Sequence, residues 1–85
     1  MTRPYAVRNG ESIYVACDFA TACALSASQH RGTRYTASTV LSGRCYAATI
    51  AADSYDVALR LFQALLRAER IHGVTNIVIR PAPPL

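Results

Sequence analysis

Three cysteines and two histidines are the residues of this chain best suited to catalysis or metal binding. They are Cys17, Cys23, Cys45, His30 and His72. The cysteines form no Cys-x-x-Cys pair and the five residues lack the paired spacing of a zinc site, so we expect no bound metal. Nothing in the spacing places a nucleophile beside either histidine. We therefore expect free, mostly buried thiols and structural or surface histidines at helix ends.

Nucleotide-binding and hydrolase motifs are also missing. The sequence contains no GxGxxG, no GxxxxGK[ST] and no GxSxG, and each of its four glycines is explained as a turn or a helix stop. We therefore expect no cofactor and no enzymatic activity. With 85 residues, 52% hydrophobic and 16% charged, the chain should fold as one domain. Much of the apolar content is alanine, which predicts a thin core.

Arginine dominates the charge of the chain. All nine basic residues are arginines, against five acids, and the formal net charge is +4. Arginine makes planar contacts with carboxylates and phosphates, so this surface suits an anionic partner. A GC-biased genome would produce the same arginine and alanine usage.

A hairpin and a helix are predicted in the first part of the chain. Asn9 and Gly10, between the strand-like segments 5–8 and 11–15, predict a two-residue turn with Arg8 opposite Glu11 and Tyr5 opposite Tyr14. An N-capping Asp18 before an alanine-rich run, with Gly32 as the stop, predicts a helix over residues 19–30.

A second hairpin is predicted over residues 35–41 and 44–51, with Ser42 and Gly43 as its turn. Its alternation assigns side chains to two faces. One face would carry Tyr35, Ala37, Thr39, Leu41, Arg44, Tyr46, Ala48 and Ile50.

The strongest helical pattern begins at Asp53 and Asp56 and is expected to run to about Ile71, with Gly73 as its stop. Its apolar side comprises Ala58, Leu61, Phe62, Leu65, Leu66 and Ala68. The opposite side, here termed the helix face, comprises Arg60, Gln63, Arg67 and Arg70. Asp56 and Arg60 have the spacing of an i,i+4 ion pair. The helix face is a candidate for binding an acidic partner, although such stripes are also ordinary on solvated helices.

A last strand over residues 74–79 would be ended by Pro81, Pro83 and Pro84. The element order then contains βαββαβ preceded by one strand, a pattern typical of the ferredoxin-like fold. We therefore predict an α+β sandwich in which both helices lie on one face of an antiparallel sheet. A single domain would cover residues 1–80, followed by an exposed proline-rich tail over residues 81–85.

Residues 13–18, IYVACD, are similar to the first RNA-contact motif of the RRM family. The second RRM motif should lie on the third strand of βαββαβ, where Arg44 and Tyr46 stand but the expected glycine is missing and Ala48 replaces an aromatic residue. The resemblance implies a platform of Tyr14, Arg44 and Tyr46, here termed the sheet face, on which bases of a nucleic acid would stack. Tyrosines that merely pack a sheet would give the same pattern.

As a whole, the chain resembles small phage-encoded anti-CRISPR proteins in its size, its alanine and arginine usage and its lack of catalytic residues. The resemblance includes no shared motif. It implies a non-enzymatic inhibitor that binds an acidic or DNA-binding surface of a CRISPR effector complex and blocks target DNA binding. An RRM-like nucleic-acid-binding module is the alternative, and a subunit of a homo-oligomer is a third reading.

The expected location is the cytoplasm, which for a phage-encoded protein is that of the host cell. The apolar stretches are interrupted well before the ~20 residues of a membrane span. Residues 1–5 lack the apolar core of a signal peptide.

Overall fold

Five strands and two helices are present in the computed structural model, which describes residues 4–82. In chain order they are β1 (Tyr5–Asn9), β2 (Ser12–Ala16), α1 (Phe19–Gln29), β3 (Thr33–Leu41), β4 (Arg44–Ala52), α2 (Tyr55–Ala68) and β5 (Ile77–Pro81). The strands form two antiparallel sheets: a hairpin of β1 and β2, and a three-stranded sheet in the order β4-β3-β5. The predicted α+β class and the predicted order of elements are therefore confirmed.

The ferredoxin-like topology is not confirmed. That prediction needs one sheet that includes the strand before the first helix, whereas β2 pairs only with β1. In that fold β3 would be an edge strand, whereas here it is the central strand, between β4 and β5. The turn between β1 and β2 is short, so these two strands pair at a small entropic cost without joining the larger sheet.

The turn of the first hairpin is displaced by one residue from its predicted position. Asn9 pairs with Ser12, so the turn consists of Gly10 and Glu11. Gly10 has φ +65°, a conformation that glycine adopts without steric cost. Asn9 remains in the strand because its side chain is buried and its Nδ2 donates to the carbonyl of Ala51, 2.9 Å away.

Both predicted cross-strand pairs of this hairpin are wrong as a result. Arg8 lies opposite Ile13, and Tyr5 lies opposite Ala16. The aromatic contact of Tyr5 is with Phe19, edge to face, at 6.2 Å between ring centroids. The start of α1 therefore covers the open end of the hairpin.

The second hairpin has the predicted register. Leu41 pairs with Arg44, and the turn residues Ser42 and Gly43 have φ values of 52° and 75°, the pattern of a type I′ turn. Ala37 and Ile50 on the predicted common face are fully buried. This face is the one that the helices cover.

The last strand begins and ends later than predicted, at Ile77 and Pro81. Pro81 lies opposite Tyr35, and the next residue, Ala82, donates its N–H to the Arg34 carbonyl at 2.8 Å. The nitrogen of Pro81 therefore faces the free edge of the sheet, where the missing N–H removes no ladder bond. The remainder of the predicted tail, residues 83–85, lies outside the described residues.

The helix α1 begins as predicted and ends differently. The Asp18 carboxylate accepts the Thr21 backbone N–H at 2.8 Å, and this bond holds the pKa of Asp18 below its ordinary value. Gly32 is not a helix stop, because its φ is not positive. It is a point of close approach, since a Cβ there would overlap the carbonyl of Ala52.

The core is as thin as the composition predicts. It lies between the three-stranded sheet and α2, with α1 packed against α2, β4 and the hairpin. Within the described range, six of the thirteen buried hydrophobic residues are alanines. The large side chains that fill it include Leu61, Phe62 and Leu66 of α2 and Ile50 and Ile79 of the sheet.

Gly10→Ala should lower the free energy of unfolding clearly more than Gly43→Ala. Both glycines have positive φ, so each substitution costs about 1 kcal/mol for the backbone. Only the methyl group added at Gly10 would also overlap the carboxylate of Asp53, whereas the space around Gly43 is open. Urea unfolding followed by circular dichroism measures both losses. Equal losses would contradict the packing of this turn on Asp53.

Candidate partner-binding surfaces

The helix face lies on the exposed side of α2. Ser54 begins the helix by accepting the Val57 backbone N–H on its Oγ at 3.3 Å. The apolar side of the helix is then buried against the sheet, which turns Arg60, Gln63 and Arg67 outward into solvent. The predicted orientation of these three residues is therefore confirmed.

Arg70, the fourth residue of the helix face, does not belong to the helix. The last helical residue is Ala68, three residues before the predicted end at Ile71. The Arg70 and Ile71 N–H groups donate to the carbonyls of Arg67 and Leu66 at 3.0 and 2.9 Å, which closes the helix in a Schellman motif. Arg70 occupies the left-handed position of that motif, with φ 61°, where glycine is usual. Its direction is therefore set by the cap and not by the helical period.

Within residues 4–82 the arginines have no acidic partners. Eight of the nine arginines lie in residues 4–82 and all eight are exposed, while Arg3 lies outside the described residues. In that range the one close contact between a basic side chain and a carboxylate is that of His30 with Asp53. The predicted Asp56–Arg60 ion pair is therefore not formed. The positive charge of the arginines remains available to a partner.

The residues of the sheet face are divided between two sheets. Tyr14 lies on β2, whereas Arg44 and Tyr46 lie on β4. Tyr46 is half-buried against the core on the side that the helices cover, and Arg44 is exposed. The opposite, outward side of the three-stranded sheet carries no aromatic residue within the described strands. The structure therefore does not assemble the three residues into one open platform.

Tyr14 instead belongs to a hydrogen-bonded chain that the sequence did not predict. The Tyr14 hydroxyl lies 3.2 Å from Nδ1 of His30, and Nε2 of His30 lies 2.8 Å from Oδ1 of Asp53. A proton on Nε2 satisfies both contacts, because Nε2–H donates to the carboxylate and Nδ1 accepts from the hydroxyl. The His30 side chain is only 8% exposed, against 51% for Asp53.

The hydrogen-bonded group of Tyr14, His30 and Asp53 contains a base oriented by a carboxylate, the arrangement that activates nucleophiles in hydrolases. It borders a shallow depression of about 540 Å³, which Ser12 and Arg31 also line. Both ring nitrogens of His30 are already hydrogen-bonded within the fold, to groups from two other segments. These two hydrogen bonds connect β2, the end of α1 and the β4–α2 connection to one another. The residues lie far apart in the sequence and match no motif, so no local signal could have revealed them.

The thiols differ in exposure. Cys17 and Cys45 are exposed, so the prediction of mostly buried thiols is wrong for these two. Cys23 is fully buried in α1, and burial raises the pKa of its thiol. The described residues contain no group of three His, Cys, Asp or Glu side chains that could hold a metal ion.

Comparison with known proteins gives no relative. The chain matches no protein-family model, no curated protein and no solved structure. Neither helix within residues 4–82 is long and apolar enough to span a bilayer.

Arg70→Gly should raise the free energy of unfolding by about 1 kcal/mol, because glycine adopts the left-handed backbone at a helix end without steric cost. Arg70→Ala is the matched control, since it removes the same charge and keeps the unfavourable φ. Urea unfolding of both variants gives the comparison. A glycine variant no more stable than the alanine variant would contradict the assigned cap.

Cys23 should resist alkylation in the folded protein while Cys17 and Cys45 react, because burial shields its sulfur and disfavours the thiolate. Brief iodoacetamide treatment followed by peptide mass spectrometry gives the labelled fraction at each position. The same treatment in concentrated urea, where all three thiols should react, is the control. Native labelling of Cys23 as fast as that of Cys45 would show that α1 is not packed as described.

Proposed function

We propose that this chain is a non-enzymatic binding protein that uses the arginines of α2 against an acidic partner surface. Its biological role would be that of an anti-CRISPR-type inhibitor, which binds a CRISPR effector complex and blocks target DNA binding. The observation that carries the proposal is the set of eight exposed arginines that form no salt bridge within the described chain.

The helix face suits such a role because a regular helix presents Arg60 and Arg67, and its arginines form no salt bridge within residues 4–82. Arg60 and Arg67 are separated by two helical turns, which sets them roughly 10 Å apart along the axis. Gln63 lies between them and can donate and accept hydrogen bonds. A guanidinium without an internal partner keeps its planar set of donors for a carboxylate of another molecule.

A non-enzymatic role is supported by the use that the fold makes of His30. In the described chain this residue is hydrogen-bonded at both ring nitrogens, to Tyr14 and to Asp53. These hydrogen bonds join three segments of a fold with a thin core. A contribution to stability is therefore enough to explain the position of His30, and no catalytic role is required.

The nucleic-acid-binding alternative is weakened by the separation of Tyr14 from Arg44 and Tyr46. Stacking platforms for single-stranded nucleic acid need aromatic residues on one accessible surface. Without them the alternative depends on arginines alone, which would give binding without sequence preference and with a steep dependence on salt.

The double variant Arg60→Glu/Arg67→Glu should lose inhibition of target DNA binding, with affinity for the effector complex lowered roughly tenfold or more, because attraction to an acidic surface becomes repulsion. The matched control is Arg34→Glu/Arg80→Glu, which makes the same charge change at exposed positions of the three-stranded sheet. Purified guide-loaded effector complexes would be titrated with each protein while target DNA binding is followed by fluorescence anisotropy.

Two results would overturn the proposal. Equal losses from both double variants would show that net charge, and not the helix face, drives binding. Tight, salt-dependent binding of labelled single- or double-stranded nucleic acid by the wild-type protein alone, without capture of any effector complex, would favour the nucleic-acid-binding alternative.

A further inference from the structure

An apolar cavity opens directly beside the helix face, between β1 and α2. Its volume is about 210 Å³, and apolar side chains from β1 and both helices form most of its lining. The principal ones are Val7, Phe19, Val57, Leu61 and Ala64. This volume is below the roughly 300–1,000 Å³ of small-molecule sites, so the cavity suits a single apolar side chain better than a whole cofactor.

The charged residues that line this cavity are both arginines. Arg60 comes from the helix face and Arg8 from β1, and no acidic residue contributes to the lining. Nε of Arg8 donates to the Gly10 carbonyl at 3.3 Å, which orients the guanidinium and leaves its remaining donors free. Neither arginine forms a salt bridge in the described chain. The apolar cavity therefore has an uncompensated positive rim.

Further apolar surface adjoins this rim on the outward side of the hairpin. Ala6 lies opposite Val15 and Arg8 lies opposite Ile13, so these four residues share one side of the hairpin. Ile13 is 62% exposed and Val15 is 53% exposed. An apolar centre with charged residues at its border is the usual anatomy of a protein-binding hot spot.

We infer that this cavity is an anchor site for an acidic protein segment that carries one large apolar side chain. The apolar side chain would enter the cavity, and carboxylates next to it in the segment would bind Arg8 and Arg60. Exclusion of water by the apolar lining strengthens such arginine–carboxylate contacts. The inference rests on the proposed function and specifies the chemistry of the partner. Charge complementarity favours an acidic segment, while the apolar lining offers nothing to the phosphates of a nucleic acid.

The test compares three fluorescein-labelled peptides by fluorescence anisotropy with the full-length protein. The first is acidic with one central phenylalanine, the second replaces the phenylalanine by serine, and the third keeps the phenylalanine and replaces the acids by serine. The first peptide should bind, and each of the others should bind at least roughly tenfold more weakly, because each lacks one half of the recognition. Equal binding of the first two peptides, or binding of none, would overturn the inference.

Filling the cavity provides an independent arm of the test. Ala64→Leu places extra carbon atoms in the lining and should weaken binding of the first peptide roughly tenfold. The control is Ala24→Leu, because Ala24 is exposed on α1 outside the cavity, and this variant should bind the peptide as the wild-type protein does. Circular dichroism of both variants checks that they fold. If Ala64→Leu does not fold, the comparison of the three peptides on the wild-type protein still tests the inference.

The outcomes also separate this inference from the proposed function. Loss of effector inhibition in Arg60→Glu/Arg67→Glu, together with full inhibition by Ala64→Leu, would overturn the anchor cavity and leave the proposed function intact. Self-association in sedimentation velocity that Ala64→Leu abolishes would assign the cavity to a second copy of the chain instead. Tighter binding of an oligonucleotide than of the first peptide would overturn it in favour of nucleic acid.

Discussion

A buried hydrogen bond from the Asn9 side chain to the Ala51 carbonyl holds the β1–β2 hairpin on the three-stranded sheet. The two sheets share no strand, so their relative position depends on side chains and close packing. Gly10 lies so near Asp53 that a Cβ there would overlap the carboxylate and displace it from its hydrogen bond with His30. A buried hydrogen bond contributes only about 1 kcal/mol net, but an unpaired buried partner costs about 1–3 kcal/mol. Separation of the hairpin would expose both groups to water, so this bond fixes the position of the hairpin more than it stabilises the fold. The penalty applies to a substitution of Asn9, which would leave the Ala51 carbonyl buried without its donor.

The chain of Tyr14, His30 and Asp53 reinforces the same junction from its exposed side. Its three members come from β2, the end of α1 and the β4–α2 connection, so it orients the first hairpin relative to the start of α2. Arg8 on β1 and Arg60 on α2 line one cavity in this arrangement, which the packing of α1 against the hairpin and α2 also supports. Recognition at the cavity is thus coupled to contacts that lie outside it.

The distribution of charge follows from how the acids are used. Asp18 caps α1 and Asp53 binds His30, so two of the five acids are engaged inside the fold. The other three are exposed and form no salt bridge with an arginine of the described range. A moderate net charge of +4 therefore leaves arginine surfaces that are locally more positive than the composition suggests.

Local signals in the sequence were sufficient for some elements and insufficient for others. The cap at Asp18, the turn at Ser42 and the outward direction of Arg60 and Arg67 depend on residues a few positions apart, and local patterns reveal such relations. The same patterns place the start of α2 at Asp53 and Asp56, whereas Ser54 is the residue that caps it. The placement of β5 beside β3 and the approach of Arg8 to Arg60 depend on contacts between distant segments. No spacing along the chain encodes these.

The register of the first hairpin shows why a local pattern can be read correctly and still mislead. Predicted and observed pairings differ by two residues on the partner strand, since Tyr5 lies opposite Ala16 and not Tyr14. Side chains alternate with a period of two, so this shift leaves every residue on the same face and the hydrophobic pattern cannot distinguish the two registers. Asn9 decides between them. As a turn residue it would be solvated, whereas in the strand its amide reaches the Ala51 carbonyl, and that partner exists only once β4 has folded against the hairpin.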